Sequence, residues 1–536
     1  MSLSRVVRSL VPVALCAALL PAQAGVLVHG EVFVDRDGDG RRGAGEGPVA
    51  GVKLSNGREV VASDADGRFA LELREGDTAF VVKPPGHAVP EGGNGLPRFW
   101  RHHFPEGSPA LRYGGIPRGA VERLDIPLRP VARGAGPLEV LVMADPQVKN
   151  AADVDYYARD IIADIAGRTP AVFGISLGDI VDDELSLYPA LNAHTASLGI
   201  PWLHVAGNHD LDFDAAGDAD SLLTFRHTFG PDTFAWEEEG VAFVLLDNVI
   251  YQPGQQPAYI GGLRDDQFAF LESYLATLPD GHMVVVGAHI PFFDTHPDPA
   301  VETFRSADRT RLFGLLQRFD KLLLLSGHGH VQRHVFHDEA SGWQGTAPLH
   351  EYNLGAACGA FWSGVKDEAG IPDATMADGT PNGYATLRIE AGDYRLAWHP
   401  ARLPRDDAAM TGAMALHAPA VLRRGAYPAW AVYANVFMGT PDTVVEYRVA
   451  GGDWAPMRRV ERPDPRLLAE NVRDDEAPAL RAYDRSPEAT PSTHLWRGAL
   501  PTDLAIGEHV IEVRVNDPWQ GEQRARTTYR LQSAQP

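Results

Sequence analysis

Cysteine is almost missing from this chain, with 2 in 536 residues. A disulfide-stapled scaffold is therefore excluded, and any metal chemistry must use imidazole and oxygen rather than thiolate. Basic residues are also scarce: 48 Lys and Arg stand against 71 Asp and Glu, a net charge of −23. Such a surface repels phosphate backbones and argues against a partner of long nucleic acid. No apolar run reaches the ~20 residues that a membrane-spanning helix needs. Gly and Pro, at 54 and 41, carry no period, which excludes collagen-like and low-complexity chains. What remains is a globular composition, 44% hydrophobic and 22% charged. At ~100–200 residues per domain the length suits about three domains, each expected to bury its own core.

The start of the chain reads as a targeting segment. Arg5 and Arg8 precede the apolar run Leu10–Leu20 and then Ala22-Gln23-Ala24. Basic, apolar and A-x-A in that order predict a cleavable signal peptide over residues 1–24, hence a periplasmic or secreted product without a transmembrane anchor. Cleavage removes Cys16 and leaves Cys358 alone, with no internal disulfide.

Three regions follow. Residues 25–130 alternate short strands with Gly, Asn and Asp turns, the pattern of a small β-sandwich. Within it, Asp35, Asp37, Asp39 and Glu46 satisfy the twelve-residue calcium-loop spacing D-x-D-x-D-G-x5-E. Strands flank this loop, so the reading is a calcium-braced hairpin, with a solvated acidic turn as the alternative. The run VFVDRDGDG…GEGPVAGV…SDADGRFAL resembles the repeat domains of Gram-positive surface proteins. After a Gly-rich linker, residues 138–398 alternate apolar strands with helical segments, predicting a layered α/β core. Residues 399–536 return to short strands without long amphipathic helices, a second all-β sandwich.

Five short segments stand at predicted strand ends of the middle region: Asp145-Pro146-Gln147, Gly178-Asp179-Ile180-Val181-Asp182, Gly207-Asn208-His209-Asp210, Ala288-His289 and Gly327-His328-Gly329-His330. Open α/β sheets place ligand sites beyond the carboxyl ends of their strands, so the segments should converge on one rim. Carboxylates, amides and four imidazoles together suit a pair of divalent ions with water between them.

The series resembles the calcineurin-like metallophosphoesterase superfamily, whose blocks run D-x-H, G-D-x-x-D, G-N-H-D/E, H and G-H-x-H. The resemblance implies a β-sandwich-type core with helices outside. Here it is flanked by two all-β sandwiches, as in a secreted bacterial branch. It implies that Asp145 and Gln147 hold the first metal, that Asp179 bridges both, and that Asn208, His289 and His328 hold the second, with His330 returning to the first. His209 matches the proton-donating histidine, and Asp210 is expected to orient its ring. The first block departs from the family: Gln147 stands where His is usual. Either it ligates and tilts the site toward a harder ion such as Mn²⁺, or water fills that position. Manganese is favoured over iron or zinc.

The implied activity is hydrolysis of small phosphate mono- or diesters. A water between the metals is deprotonated to attack phosphorus, and His209 protonates the leaving oxygen. The Gly- and aromatic-rich loops after Tyr352 suit a pocket rim, which makes Tyr352, Trp362, Asp378 and Asn382 candidate substrate contacts. His334, His337 and His350 read as surface groups or supports for the last block, and Cys358 as packing. Two other functions stay open: a metal-dependent nucleotidase or nuclease on the same site, and a non-catalytic calcium-braced surface binding protein with a vestigial phosphoesterase domain.

Overall fold

The computed structural model describes residues 25–534 apart from 133, 135, 169, 299, 405, 406, 428, 429, 482 and 483. The predicted signal peptide lies outside the described residues. The fold is mixed α/β, mostly sheet with few helices. Among the described residues no helix is long and apolar enough to cross a membrane.

The middle of the chain builds two sheets. One runs Trp202–Val205, Phe173–Leu177, Leu138–Met143, Gly383–Glu390 and Asp393–Pro400 in spatial order. The other runs Phe234–Glu238, Val241–Leu245, Met283–Gly287, Lys321–Ser326, Leu349–Asn353 and Arg333–His337. Their central strands pair in parallel and are nearly continuous apolar runs, FGISL and MVVVG among them, because both faces are covered. Parallel pairing brings the carboxyl ends of five strands to one rim, and every loop of the five segments starts there.

The expectation of three separate cores needs correction. The apolar interior of residues 25–130, itself two four-stranded sheets, is continuous with that of the middle region. Phe80 meets Phe270 edge-on at 5.7 Å, and Phe99 lies 5.2 Å from Phe234. The buried Lys83 also pairs with Glu238 across this seam. A shared core of this kind removes more apolar area from water than two small ones. The last region holds a distinct cluster around Val432, Trp496, Ile511 and Tyr529, and a small satellite joins Phe104 and Ile116 to Leu223.

That region packs a four-stranded sheet on a five-stranded one. It also contains a helix that the sequence pattern hid, Pro465–Glu476, started by Asp464 accepting from the Arg466 and Leu467 amides. Only Leu467 of this helix is buried, and Leu468 and Val472 stay exposed, so the helix adds little to the interior. Val436 and Phe437 are buried, whereas Trp430 is 50% exposed.

Candidate metal centre

The five loops leave their strands through sharp turns. Among the described residues nine non-glycine positions have positive φ, and six of them are Asp145, Gln147, Asp179, Asp183, His328 and His330. Backbone held in this sparsely populated region costs free energy, and its concentration at one rim marks a site that the surrounding packing enforces. Gly207 is equally constrained: a Cβ there would lie 2.2 Å from the Asp179 amide nitrogen and from its Oδ1.

The loops are tied to each other before any ligand is considered. The His328 amide donates to both Asp145 oxygens at 3.1 Å, the His209 amide to Asp179 Oδ1 at 2.8 Å, and the Gln147 amide to the Asp179 carbonyl at 2.9 Å. His289 Nε2 lies 3.3 Å from Asp179 Oδ2, 3.0 Å from Asn208 Oδ1 and 3.2 Å from His328 Nδ1. Two donor sets result, each with its atoms within 4.8 Å of one another: Asp145, Asp179 and His330, and Asp179, His289 and His328. Asp179 belongs to both.

The electrostatics follow from this crowding. Burial pushes the Asp179 carboxyl up, but the charge and hydrogen bond of His289 outweigh it and hold the group well below the usual range. Burial lowers His289, yet Asp179 and Asp145 lift it to about 9. Burial and the neighbouring His289 push His328 down to about 4. Gln147 is buried, and its Oε1 has no hydrogen-bond partner. An orphaned carbonyl oxygen beside two buried carboxylates and three imidazoles is the donor set of a dinuclear divalent site, and the residues fit that group.

His209 stands at the mouth. Burial disfavours its imidazolium, but the hydrogen bond to Asp183 and the charges of Asp179, Asp183 and Asp182 lift it to about 9. Its expected partner is corrected by the structure. Asp210 does not orient this ring; Asp183 does, with Oδ1 2.7 Å from His209 Nδ1. The fully buried Asp210 accepts from the amides of Ile180 and Gly207 and from the Tyr188 hydroxyl. It therefore locks two of the loops, and burial together with Asp179 raises it to about 7.

All four expected substrate contacts are corrected as well, because each is buried and already bonded. Tyr352 donates to Gln332 Oε1 at 2.7 Å, and Trp362 Nε1 donates to the Pro146 carbonyl at 2.9 Å. Asp378 pairs with His494 at 3.0 Å, and Asn382 donates to Asp160 at 2.9 Å. The residues that face the mouth are others. Phe361 is 44% exposed with its ring 5.6 Å from His330, Lys149 Nζ lies 4.1 Å over that ring, and Tyr259 is 5.9 Å from His328. Nothing in the sequence separates Phe361 from Trp362; the loop turns one outward and the next inward. His334, His337 and His350 are buried rather than superficial, with His337 on Glu351 at 2.7 Å and His334 on His350 at 2.9 Å. Cys358 is buried as expected, 3.8 Å from His330 Nδ1.

In the N-terminal loop, Asp35, Asp37 and Asp39 come together as a candidate set. Glu46 does not join them. Its carboxylate accepts from the Arg36 and Gly43 amides at 2.7 and 2.6 Å and closes the hairpin instead.

Three family models match consecutive stretches of this chain: calcineurin-like phosphoesterase over 138–332, its N-terminal region over 36–112 and its C-terminal region over 351–522. The chain belongs to the calcineurin-like phosphoesterase family. Among curated proteins, this phosphoesterase-family chain is similar to the serine/threonine-protein phosphatase CPPED1 of Pongo abelii, 26% identical over 141 residues. That match covers 25% of this chain and 43% of the relative, so less than half of the relative's length is spanned. Among solved structures, a dimetal phosphatase from Danio rerio is 15% identical, with 50% of this chain and 97% of that one covered and a TM-score of 0.34. A purple acid phosphatase from yellow lupin (Lupinus luteus) seeds is 12% identical, with coverages of 70% and 67% and a TM-score of 0.38.

Proposed function

We propose that this protein is an exported dimetal phosphoesterase acting on small phosphate mono- or diesters. The observation that carries the reading is the sharing of Asp179 between two adjoining donor sets. Asp145, Gln147, Asp179 and His330 would hold one ion, and Asp179, Asn208, His289 and His328 the other, with Mn²⁺ favoured by the oxygen-rich first set. Two divalent ions, when bound, supply Lewis-acid neutralisation of phosphoryl oxygens and water acidified to a nucleophile near neutral pH.

The chain's own residues do the rest. His209 donates a hydrogen bond from Nδ1–H to Asp183, which leaves the Nε2 proton as the one delivered to the leaving oxygen. Lys149 adds a cation at the mouth of an otherwise acidic chain, so local charge rather than the net −23 governs approach of an anion. Phe361 beside His330 and Tyr259 beside His328 add aromatic surface next to the two donor sets. The aspartate loop Asp35–Asp37–Asp39 is assigned to calcium as a brace for the N-terminal hairpin, outside the reaction.

The test is turnover of nitrophenyl phosphate and bis-nitrophenyl phosphate with Mn²⁺, with and without a chelator. Activity that is lost on chelation and restored by Mn²⁺ is expected. Turnover of neither ester with any divalent ion would favour the surface binding protein. Release of a product starting at Gly25 into the periplasmic fraction tests export.

A further inference from the structure

Gln147 and the aspartate pair after Asp179 form a second layer whose geometry goes beyond the ligand assignment. Gln147 Nε2 donates to Asp182 Oδ1 at 2.9 Å. An ionised carboxylate only accepts, so it can face the NH₂ end of the amide and not the carbonyl. The planar amide then directs Oε1 away from Asp182, and that oxygen is buried without a hydrogen-bond partner. The backbone of Gln147 is fixed by its amide on the Asp179 carbonyl, in the same short loop as Asp145.

Asp182 is thereby drawn away from His209. Its Oδ1 is 3.4 Å from His209 Nδ1, beyond a good hydrogen bond, and its Oδ2 is 3.5 Å from Lys149 Nζ. Asp183 takes the imidazole instead, at 2.7 Å, and its amide donates to the His209 carbonyl at 3.2 Å. The positive φ of Asp183 is the backbone turn that makes this two-point contact.

We infer that the two adjacent aspartates divide the labour. Asp182 is a positioning residue that points the Gln147 carbonyl oxygen at the first metal, and Asp183 is a positioning residue for the His209 proton donor. This inference rests on the dimetal reading. It explains how an amide can stand in the first block: a carboxylate holds its NH₂, so that the carbonyl cannot rotate away from the ion.

The experiment is Mn²⁺ titration of the full chain, read as bound metal per chain and by electron paramagnetic resonance, which separates coupled from single ions. Asp182→Ala should weaken the first site about 10–100-fold and leave the second. Gln147→Ala should do the same, and the double variant should be no weaker than either single one. Asp182→Asn, whose carbonyl can still accept from Gln147, should keep near wild-type affinity and guards against a folding artefact. Additive losses in the double variant would overturn the role of Asp182. Asp183→Ala should retain both ions and lose more turnover on an alkyl phosphate than on nitrophenyl phosphate. Equal losses on the two would overturn the role of Asp183. A wild-type chain that binds no Mn²⁺ would instead remove the dimetal reading itself.

Discussion

Asp183 Oδ1 lies 2.7 Å from His209 Nδ1, while the carboxylate of Asp210, the residue next to that histidine, turns inward to Ile180, Gly207 and Tyr188. His209 is thus held by the loop that follows the neighbouring parallel strand. His209→Ala should keep bound metal and lose roughly 10²–10⁴ in turnover of an alkyl phosphate, which needs its leaving oxygen protonated. The loss on nitrophenyl phosphate should be smaller. Metal analysis beside kinetics on both esters checks this, and retained alkyl phosphate turnover would sink the role.

Asp179 is the only side chain shared by the two donor sets. Asp179→Ala should therefore empty both sites together, whereas His328→Ala should spare the first. Metal content by elemental analysis distinguishes them; full occupancy in the Asp179 variant would refute the bridging assignment.

Lys83 and Glu238 are both buried at the seam between the N-terminal sandwich and the middle region, and Lys83 Nζ also donates to the Glu237 carbonyl at 3.1 Å. Removing one partner of a buried pair leaves an uncompensated charge. Lys83→Met should cost about 3–5 kcal/mol in denaturant unfolding. It should do so in one transition that includes the catalytic region, because the two share a core. A separate early transition confined to the N-terminal sandwich would contradict the shared core.

His204 is buried against Phe229, its two ring nitrogens have no partner, and burial lowers it to about 3. His350 is lowered to about 4, burial being the main cause. Such groups bind protons more readily in the unfolded chain. Their contribution to stability is therefore complete above the ordinary value of about 6.5 and is lost as pH falls from there toward 4 and 3. The thermal midpoint should drop between pH 7 and 4.5. His204→Leu should flatten part of that slope and raise stability at pH 7 by on the order of 1 kcal/mol, since it removes two unsatisfied buried nitrogens. An unchanged slope in the variant would show that His204 binds its proton equally well in the folded and the unfolded chain.

Much of this site was legible along the chain because metal ligands at strand ends come as short local blocks. A strand followed by Gly-Asp or Gly-His is a contiguous signal, and parallel strands bring such blocks to one rim whatever the details of packing. The layered α/β class was legible for the same reason: apolar period and turn residues are local. What eluded the sequence depends on side chains that meet across long separations or on the direction in which one residue of a loop turns. Trp362 and Phe361 are neighbours of similar chemistry, yet one donates to Pro146 from the interior and the other faces His330 at the mouth. Asp182 and Asp210 lie within the blocks and Asp183 directly after one, and no pattern says which of them reaches His209.

The sequence alone determined the kind of ligands on offer: oxygen and imidazole, and almost no thiolate. Only the tertiary structure decided the positioning around them. It chose Asp183 over Asp210 as the partner of His209, turned the Gln147 carbonyl away from Asp182, and merged the N-terminal sandwich with the catalytic core. The physical reason is that ligand type is a property of each residue. Orientation and shared burial are properties of pairs, and they exist only once the chain has brought its distant segments within a few ångströms of each other.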